Sequence, residues 1–235
     1  MKKVTKDEYF YLDAVENAID YLENAAIFIK RDEPKKWKWV AIAIHNSLYS
    51  FCIACLTGSN YDNVLTSSSN DDNERSIWYD NGKRGIRSKM KKRKNSPGYL
   101  IEWEPIAKEQ DCKIQKEAKK RGRENLISFW TALARVQDQE FWMGRMIDTK
   151  ALKLSEDEWK SIEWLTLEIR NGLIHFIPKH LGVSIRSMEI AVLHIARAIE
   201  FLALESNAIT YFSDRNRRNR IVSAIEIIRD KLKSI

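Results

Sequence analysis

Apolar residues recur every three or four positions along most of this chain, the spacing that places them on one face of an α-helix. A first run covers residues 6–30, with the apolar positions Leu12, Val15, Ile19, Leu22, Ala26 and Ile29. A second run begins near Pro34 and ends at Gly58, with the apolar positions Trp37, Val40, Ala41, Ile44, Leu48, Phe51 and Cys55. The short turn between them predicts an antiparallel helix hairpin.

The helical pattern weakens between residue 59 and about residue 120. Residues 66–74 are polar, residues 83–94 are strongly basic, and Pro97 and Gly98 follow as helix breakers. Few apolar residues lie here, which predicts a basic, loop-rich, exposed insertion. Clustered basic side chains bind phosphates with little sequence preference, so we expect RNA contacts from Lys91, Lys92 and Arg93. A solvated surface segment is the alternative, and it is favoured for the second basic run at 113–123.

Four more helices are predicted after the insertion. Residues 126–147 carry one, with a bend expected at 137–140 where polar residues interrupt the pattern. Ser155 and Glu158 form a capping-box signature for the next, which Pro178 and Gly182 end. A fifth and a sixth helix follow Gly182 and Asp214. The fold class is therefore all-α, a single domain over residues 1–235 with an insertion at about 59–120.

The helix after Ser155 has two stripes of side chains. Ile162, Leu165, Ile169, Leu173 and Phe176 form its apolar face. At about 100° per residue, a second stripe lies on roughly the opposite side; it contains Trp164, Glu168, Asn171 and His175. Leu167 and Ile174 flank the second stripe, which indicates a helix that is central in the fold or shared with a partner.

Arg170 and His175 frame the candidate chemistry, with Asn171 and Gly172 after the arginine. An arginine fork stabilises a phosphate, and a histidine near its ordinary pKa moves protons. On an ideal helix the two side chains point roughly 140° apart, so they converge only through a distorted turn at Gly172 or across a dimer. The alternative is a surface ion pair for Arg170 and a core hydrogen bond for His175.

The six residues from Arg170 to His175 have the R-x4-H spacing and resemble the motif of HEPN ribonucleases. The resemblance implies a HEPN-like helical bundle with antiparallel helix hairpins. It also implies a homodimer whose two copies build a composite, metal-independent endonuclease site that cleaves RNA and leaves 2′,3′-cyclic phosphate ends. By resemblance, His175 does acid/base work, Arg170 stabilises the phosphate and Asn171 orients either group. Such enzymes include toxins silenced by an antitoxin partner and antiviral defence effectors that act on tRNA or mRNA.

Other residues are candidates for supporting roles. His45 and Asn46 lie beside the apolar stripe of the second helix and are a possible accessory pair, as is Glu168 in the motif helix; a hydrogen bond between helices is the alternative for His45 and Asn46. A helix N-terminus favours anions. A phosphate-contacting patch is therefore expected at the start of the last helix, from Arg215, Arg217, Arg218 and Arg220.

Composition limits the remaining possibilities. A net charge of +7 permits an acidic partner such as RNA. Cys52 and Cys55 are expected to be core thiols. We expect no cofactor and no metal, because no P-loop, dinucleotide fingerprint or zinc motif occurs. The N-terminus shows no signal peptide and no confident membrane span, which predicts a cytoplasmic protein. The alternatives are a non-catalytic helical dimer that binds nucleic acid or a partner protein, and a purely structural interaction protein.

Overall fold

A computed structural model describes residues 13–58, 61–66, 74–79, 84–92, 99–106, 125–139, 142–145, 148–174, 182–209 and 215–233. Most of these residues are helical, so the prediction of a mostly helical chain is confirmed at that coarse level. The described helices pack around one long central helix. Strands occur only in and beside the predicted insertion within the described residues.

The first two helices are α1, Ala14–Ile29, and α2, Lys36–Thr57. They pack together as the predicted hairpin. Ser47 Oγ donates a hydrogen bond to the backbone oxygen of Ala18 at 2.9 Å. Near the turn, Lys36 Nζ donates to the oxygen of Ile29 at 3.0 Å. These pairings run in opposite directions along the two helices, as in an antiparallel hairpin.

Helix α2 is the centre of the bundle. From Val40 to Leu56 its buried residues cover every side, and it ends at Gly58, which has φ 47°. It packs against α1 and against five later elements. Its length and composition would suffice to cross a membrane, but 72% of its most apolar window is buried inside the protein. A core helix has these same properties, so they are weak evidence for a span.

The later helices follow the predicted order, but the single helix predicted over 126–147 is wrong: residues 125–126 pair as a strand, and only the seven residues from Phe129 to Arg135 form an α-helix. Helix α3 is Phe129–Arg135, and it ends just before the polar residues at which a bend was expected. A short 3₁₀ turn, Met143–Arg145, follows. Helix α6 is Ile185–Glu200, which continues as a π-helical turn, Phe201–Glu205. Helix α7 is Arg215–Lys233 and packs against both α1 and α6.

The motif helix lies between α3 and α6 and consists of three continuous pieces. Helix α4, Glu156–Trp164, begins with the predicted capping box of Ser155 and Glu158. The π-helical turn π1, Leu165–Arg170, follows, and the short α5, Asn171–Ile174, completes it. The helix is therefore distorted, although not at Gly172, where a distorted turn was considered. The distortion lies in the preceding turn, which packs against α2.

The insertion is not loop-rich throughout, which corrects that prediction. Strands β2, Glu74–Tyr79, β3, Arg84–Lys92, and β4, Tyr99–Ile106, form an antiparallel sheet in that order. Strands β1, Leu65–Thr66, and β5, Asn125–Leu126, pair antiparallel where the insertion leaves and rejoins the helices.

The register of this sheet sets basic positions of β3 opposite acidic positions of its neighbours. Lys89 stands opposite Glu74 on one side and Glu102 on the other, and Arg87 stands opposite Glu104. The apolar periodicity of the sequence does not reveal this pairing, because the complementary residues lie on separate segments.

Candidate functional site

Arg170 and Asn171 lie where π1 meets α5, on a half-buried surface of the motif helix. Arg170 Nη1 donates a hydrogen bond to Asn171 Oδ1 at 2.9 Å. No carboxylate among the described residues forms an ion pair with Arg170, in contrast to Arg197, which pairs with Glu158. The alternative of a surface ion pair is therefore not supported within the described part of the chain.

His45 and Asn46 lie on α2, the helix that packs against π1. The imidazole of His45 is only 3% exposed, and its ring lies 4.5 Å from that of Phe129, centroid to centroid. His45 Nδ1 and Asn46 Oδ1 are 3.4 Å apart. Burial, and then the positive charge of Arg170, lower the pKa of His45 to about 4. The structure thus brings the predicted accessory pair into the neighbourhood of the motif arginine.

Three buried polar atoms in this region have no hydrogen-bond partner among the described residues. They are His45 Nε2 on α2 and two atoms of π1, Thr166 Oγ1 and Arg170 Nε. Buried polar atoms in native proteins are almost always hydrogen-bonded, and exceptions often mark functional positions. Single π-helical turns inside α-helices are also frequent at functional sites. Thr166 had no signal in the sequence, because it lies outside both predicted stripes.

The other residues predicted for the motif helix differ in their exposure to solvent, and one lies outside the described residues. Glu168 is exposed on π1. His175 lies outside the described residues, so its predicted acid/base role stays a prediction. On the predicted apolar face, Ile162, Leu165 and Ile169 are buried. Leu167, by contrast, is 45% exposed, so the motif helix is not the central helix of this chain.

An apolar cleft of about 350 Å³ opens beside the motif. Ile169 and Leu173 of the motif helix form one side, and Trp37 and Trp39 at the start of α2 form another. Trp39 is 44% exposed, and Lys38 Nζ lies 4.9 Å from the centre of its ring. Trp37 lies on the predicted apolar stripe of the second helix, and the structure leaves its neighbour Trp39 open to solvent in this chain.

The four arginines of the predicted phosphate-contacting patch at the start of α7 have different surroundings. Arg217 pairs with Asp13 at 2.8 Å and with Glu16 at 3.3 Å. Arg220 pairs with Glu16 and Glu23, each at 2.6 Å. Carboxylates of α1 thus already balance these two charges, which does not support their use for RNA. Arg215 and Arg218 are exposed and stay candidates for RNA binding.

The predicted basic residues of the insertion lie at or beyond the end of β3. Lys91 and Lys92 are its last two positions, opposite Leu100 and Tyr99 of β4. Arg93 lies outside the described residues. The expectation of RNA contacts from these three residues stays a prediction.

Two interactions that the sequence did not reveal stabilise the surroundings of the site. Arg135 at the end of α3 is fully buried; its Nη1 donates to the oxygen of Asn63 at 3.0 Å, and its guanidinium lies 4.2 Å from the ring centre of Trp142. Ser161 Oγ of α4 and His194 Nδ1 of α6 are 2.8 Å apart. Position within a helical pattern does not distinguish such buried polar residues from exposed ones.

The two cysteines of α2 are confirmed as core thiols. Cys52 and Cys55 are fully buried and not in disulfides. Burial raises the pKa of Cys52, and it raises that of Cys55 to about 12. Both side chains are therefore neutral near pH 7. Across the described residues, no group of three histidine, cysteine or acidic side chains is arranged to hold a metal ion.

Comparisons of the chain with protein-family models, curated proteins and solved structures find no match. The HEPN resemblance therefore rests on the six-residue motif of the sequence.

Proposed function

We propose that this protein is a metal-independent endoribonuclease of the HEPN type. In this proposal Arg170 and Asn171 bind the scissile phosphate and His175 transfers protons. Two copies of the chain combine their motifs in one composite site. The proposed products are RNA ends with a 2′,3′-cyclic phosphate and a free 5′-hydroxyl, and the biological role is that of a toxin or an antiviral defence effector.

The observation that carries the proposal is the environment of Arg170. Its guanidinium is half-buried and has no carboxylate partner among the described residues. Its Nη1 donates a hydrogen bond to the side-chain oxygen Oδ1 of Asn171. The side-chain NH₂ group of Asn171 therefore remains free to donate elsewhere. A guanidinium with uncompensated charge beside an amide donor has the chemistry of a phosphate receptor. A structural arginine would be expected to pair with a carboxylate, as Arg197 does with Glu158.

The proposed reaction needs few groups. A base takes the proton of the ribose 2′-hydroxyl, the 2′-oxygen attacks phosphorus, and the bond to the 5′-oxygen breaks as that oxygen receives a proton. Arg170 stabilises the negative charge that develops on the phosphoryl oxygens. DNA lacks the 2′-hydroxyl nucleophile, so the mechanism predicts that only RNA is cut.

The test is cleavage of tRNA and total RNA by the purified protein in EDTA. Wild type should cut, and Arg170→Ala and His175→Ala should lose cutting while keeping the melting temperature of the wild type. Arg186→Ala is the matched control. It also removes one arginine, but Arg186 is exposed at the start of α6, whereas Arg170 is half-buried. A substrate with one ribose among deoxyriboses should be cut only at the ribose, leaving a cyclic phosphate.

The composite site has a separate test. Inactive Arg170→Ala and His175→Ala proteins are mixed, unfolded together and refolded, so that mixed dimers form. Recovery of part of the activity would support a site built from both copies. A monomer in light scattering that still cuts RNA would contradict the dimer.

A non-catalytic helical dimer that binds nucleic acid or a protein is the second candidate. The exposed apolar side chains favour an association surface; they include Leu167 at 45% and Ile185 at 51% exposure. RNA retention that falls with salt, with no cutting by any variant, would favour this candidate over the ribonuclease. If the protein neither binds nor cuts RNA, the result would favour a purely structural interaction protein.

A further inference from the structure

Two of the unpartnered polar atoms lie on the elements that carry the candidate site. One is His45 Nε2 on α2 and the other is Arg170 Nε on π1, and both are enclosed by protein. An unsatisfied buried polar atom costs about 1–3 kcal/mol, so two of them on packed elements need a physical reason. The arrangement of their neighbours supplies one.

The hydrogen-bonding needs of the two atoms are complementary. His45 Nδ1 lies 3.4 Å from the side-chain oxygen Oδ1 of Asn46. An amide oxygen can only accept a hydrogen bond, so in this pair Nδ1 carries the hydrogen. In a neutral imidazole the other nitrogen, Nε2, is then a bare acceptor. The Nε of an arginine is always a donor. The region therefore holds one acceptor without a donor and one donor without an acceptor, beside the third unpartnered atom, Thr166 Oγ1, whose hydroxyl can both donate and accept.

The electrostatics favour the neutral form of His45. Burial and the charge of Arg170 hold its pKa at about 4, so its imidazole is uncharged near pH 7. A charged imidazole would repel the guanidinium and would have no lone pair to offer. The neutral ring can receive a hydrogen bond from Arg170 without competing for the phosphate.

We infer that His45 is a positioning residue for Arg170, with His45 Nε2 as the acceptor for the Nε–H of Arg170 in the working site. Asn171 already holds Nη1. With Nε and Nη1 both held, the guanidinium plane is fixed and its remaining N–H groups point towards the phosphate. This inference rests on the proposed ribonuclease function for its catalytic consequence, but not for the hydrogen bond itself.

Three variants separate positioning from simple packing. His45→Phe keeps an aromatic ring against Phe129 and removes the acceptor. His45→Gln keeps a neutral acceptor on the same helix. Ser47→Ala is the matched control, because it removes a buried hydrogen bond of α2, to Ala18, on the face towards α1.

The first measurement uses nitrogen-15 NMR of the intact protein and needs no activity. We expect the Nδ1–H tautomer of His45 at pH 7. The Nε–H signal of Arg170, assigned by its absence in Arg170→Lys, should move in His45→Phe and stay near its wild-type position in His45→Gln and Ser47→Ala. An Nε2–H tautomer, or an Arg170 signal that His45→Phe leaves unchanged, would overturn the inference.

The second measurement is RNA cleavage. Loss of a residue that orients a functional group typically costs about 10–100-fold in activity. His45→Phe should lower kcat by about that factor with little change in KM, and His45→Gln should recover most of it. Wild-type kcat in a folded His45→Phe protein would overturn the inference. If wild type cuts no RNA at all, the proposed function fails, and the NMR result still decides whether His45 positions Arg170.

Discussion

Arg220 of α7 binds Glu23 of α1 through two parallel hydrogen bonds, from Nε at 2.9 Å and from Nη2 at 2.6 Å. Its Nη1 also donates to Glu16 at 2.6 Å. These bonds raise the pKa of Arg220 above its already high ordinary value, so the charge is permanent. The pairing joins the last helix of the bundle to the first, and an arginine predicted to bind phosphate is used to hold the fold together.

Arg220→Ala should destabilise the protein. It leaves two carboxylates of α1 without their partner, and partly exposed charged networks of this kind contribute about 1 kcal/mol. The expected fall in melting temperature is about 2–4 °C for a chain of this size. Arg218→Ala is the control, because Arg218 is exposed on the same turn. Equal destabilisation by both variants would contradict a specific role for Arg220.

The buried histidine of α2 should make the stability depend on pH. The folded pKa of His45 is about 4, whereas an unfolded histidine titrates near 6.5. Between these values the unfolded chain binds one more proton, so stability is full above about pH 6.5 and declines as pH falls towards 4. The decline attributable to His45 should reach about 3 kcal/mol.

Urea unfolding at a series of pH values measures this effect. His45→Gln should lose that part of the decline, and Ser47→Ala should keep it. A His45→Gln protein with the same slope as wild type between pH 4 and 6.5 would show that other groups cause the decline.

The start of the motif helix should weaken in acid. Burial would raise the pKa of Glu158, but hydrogen bonds from Ser155 and Arg197 hold that pKa below its ordinary value. The folded pKa is thus lower than the unfolded value of about 4.3, so the stabilisation is complete above that pH and is lost as pH falls through the folded pKa. Glu158→Gln should cost about 1 kcal/mol at pH 7 and progressively less below pH 4.

Glu156→Gln is the control for the motif helix, because it removes only an exposed pair with Lys160 at 3.3 Å. Such a pair contributes about 0.3–0.5 kcal/mol. A cost for Glu156→Gln as large as that for Glu158→Gln would mean that general charge effects, rather than the cap and the Arg197 pair, stabilise this helix.

Two glycines should respond to alanine in opposite ways. Gly58 ends α2 with φ 47°, a conformation that alanine adopts poorly, so Gly58→Ala should cost about 1 kcal/mol. Gly172 lies in α5, and a Cβ there would meet nothing within 4 Å. Gly172→Ala should therefore stabilise the helix by about 0.5–1 kcal/mol. Thermal unfolding of both variants measures the two changes in stability. A change in the same direction for both variants would contradict the prediction.

Local signals predicted the ends and faces of several helices. The capping box at Ser155 and Glu158 and the end of α2 at Gly58 both have short-range causes, because caps and breakers act on neighbouring backbone groups. The insertion was harder to predict. Its strands pair residues such as Arg87 and Glu104, and no local pattern reports which distant segment a strand will meet.

By itself, the sequence determined the helical faces and the hairpin of α1 and α2, since side-chain spacing along a helix decides which residues share a face. Only the tertiary structure decided the partners of the charged and polar residues. It balanced Arg217 and Arg220 with carboxylates of α1, left Arg170 without one among the described residues, and enclosed His45 beside it. Burial and charge pairing depend on elements distant in sequence, so spacing alone does not specify them.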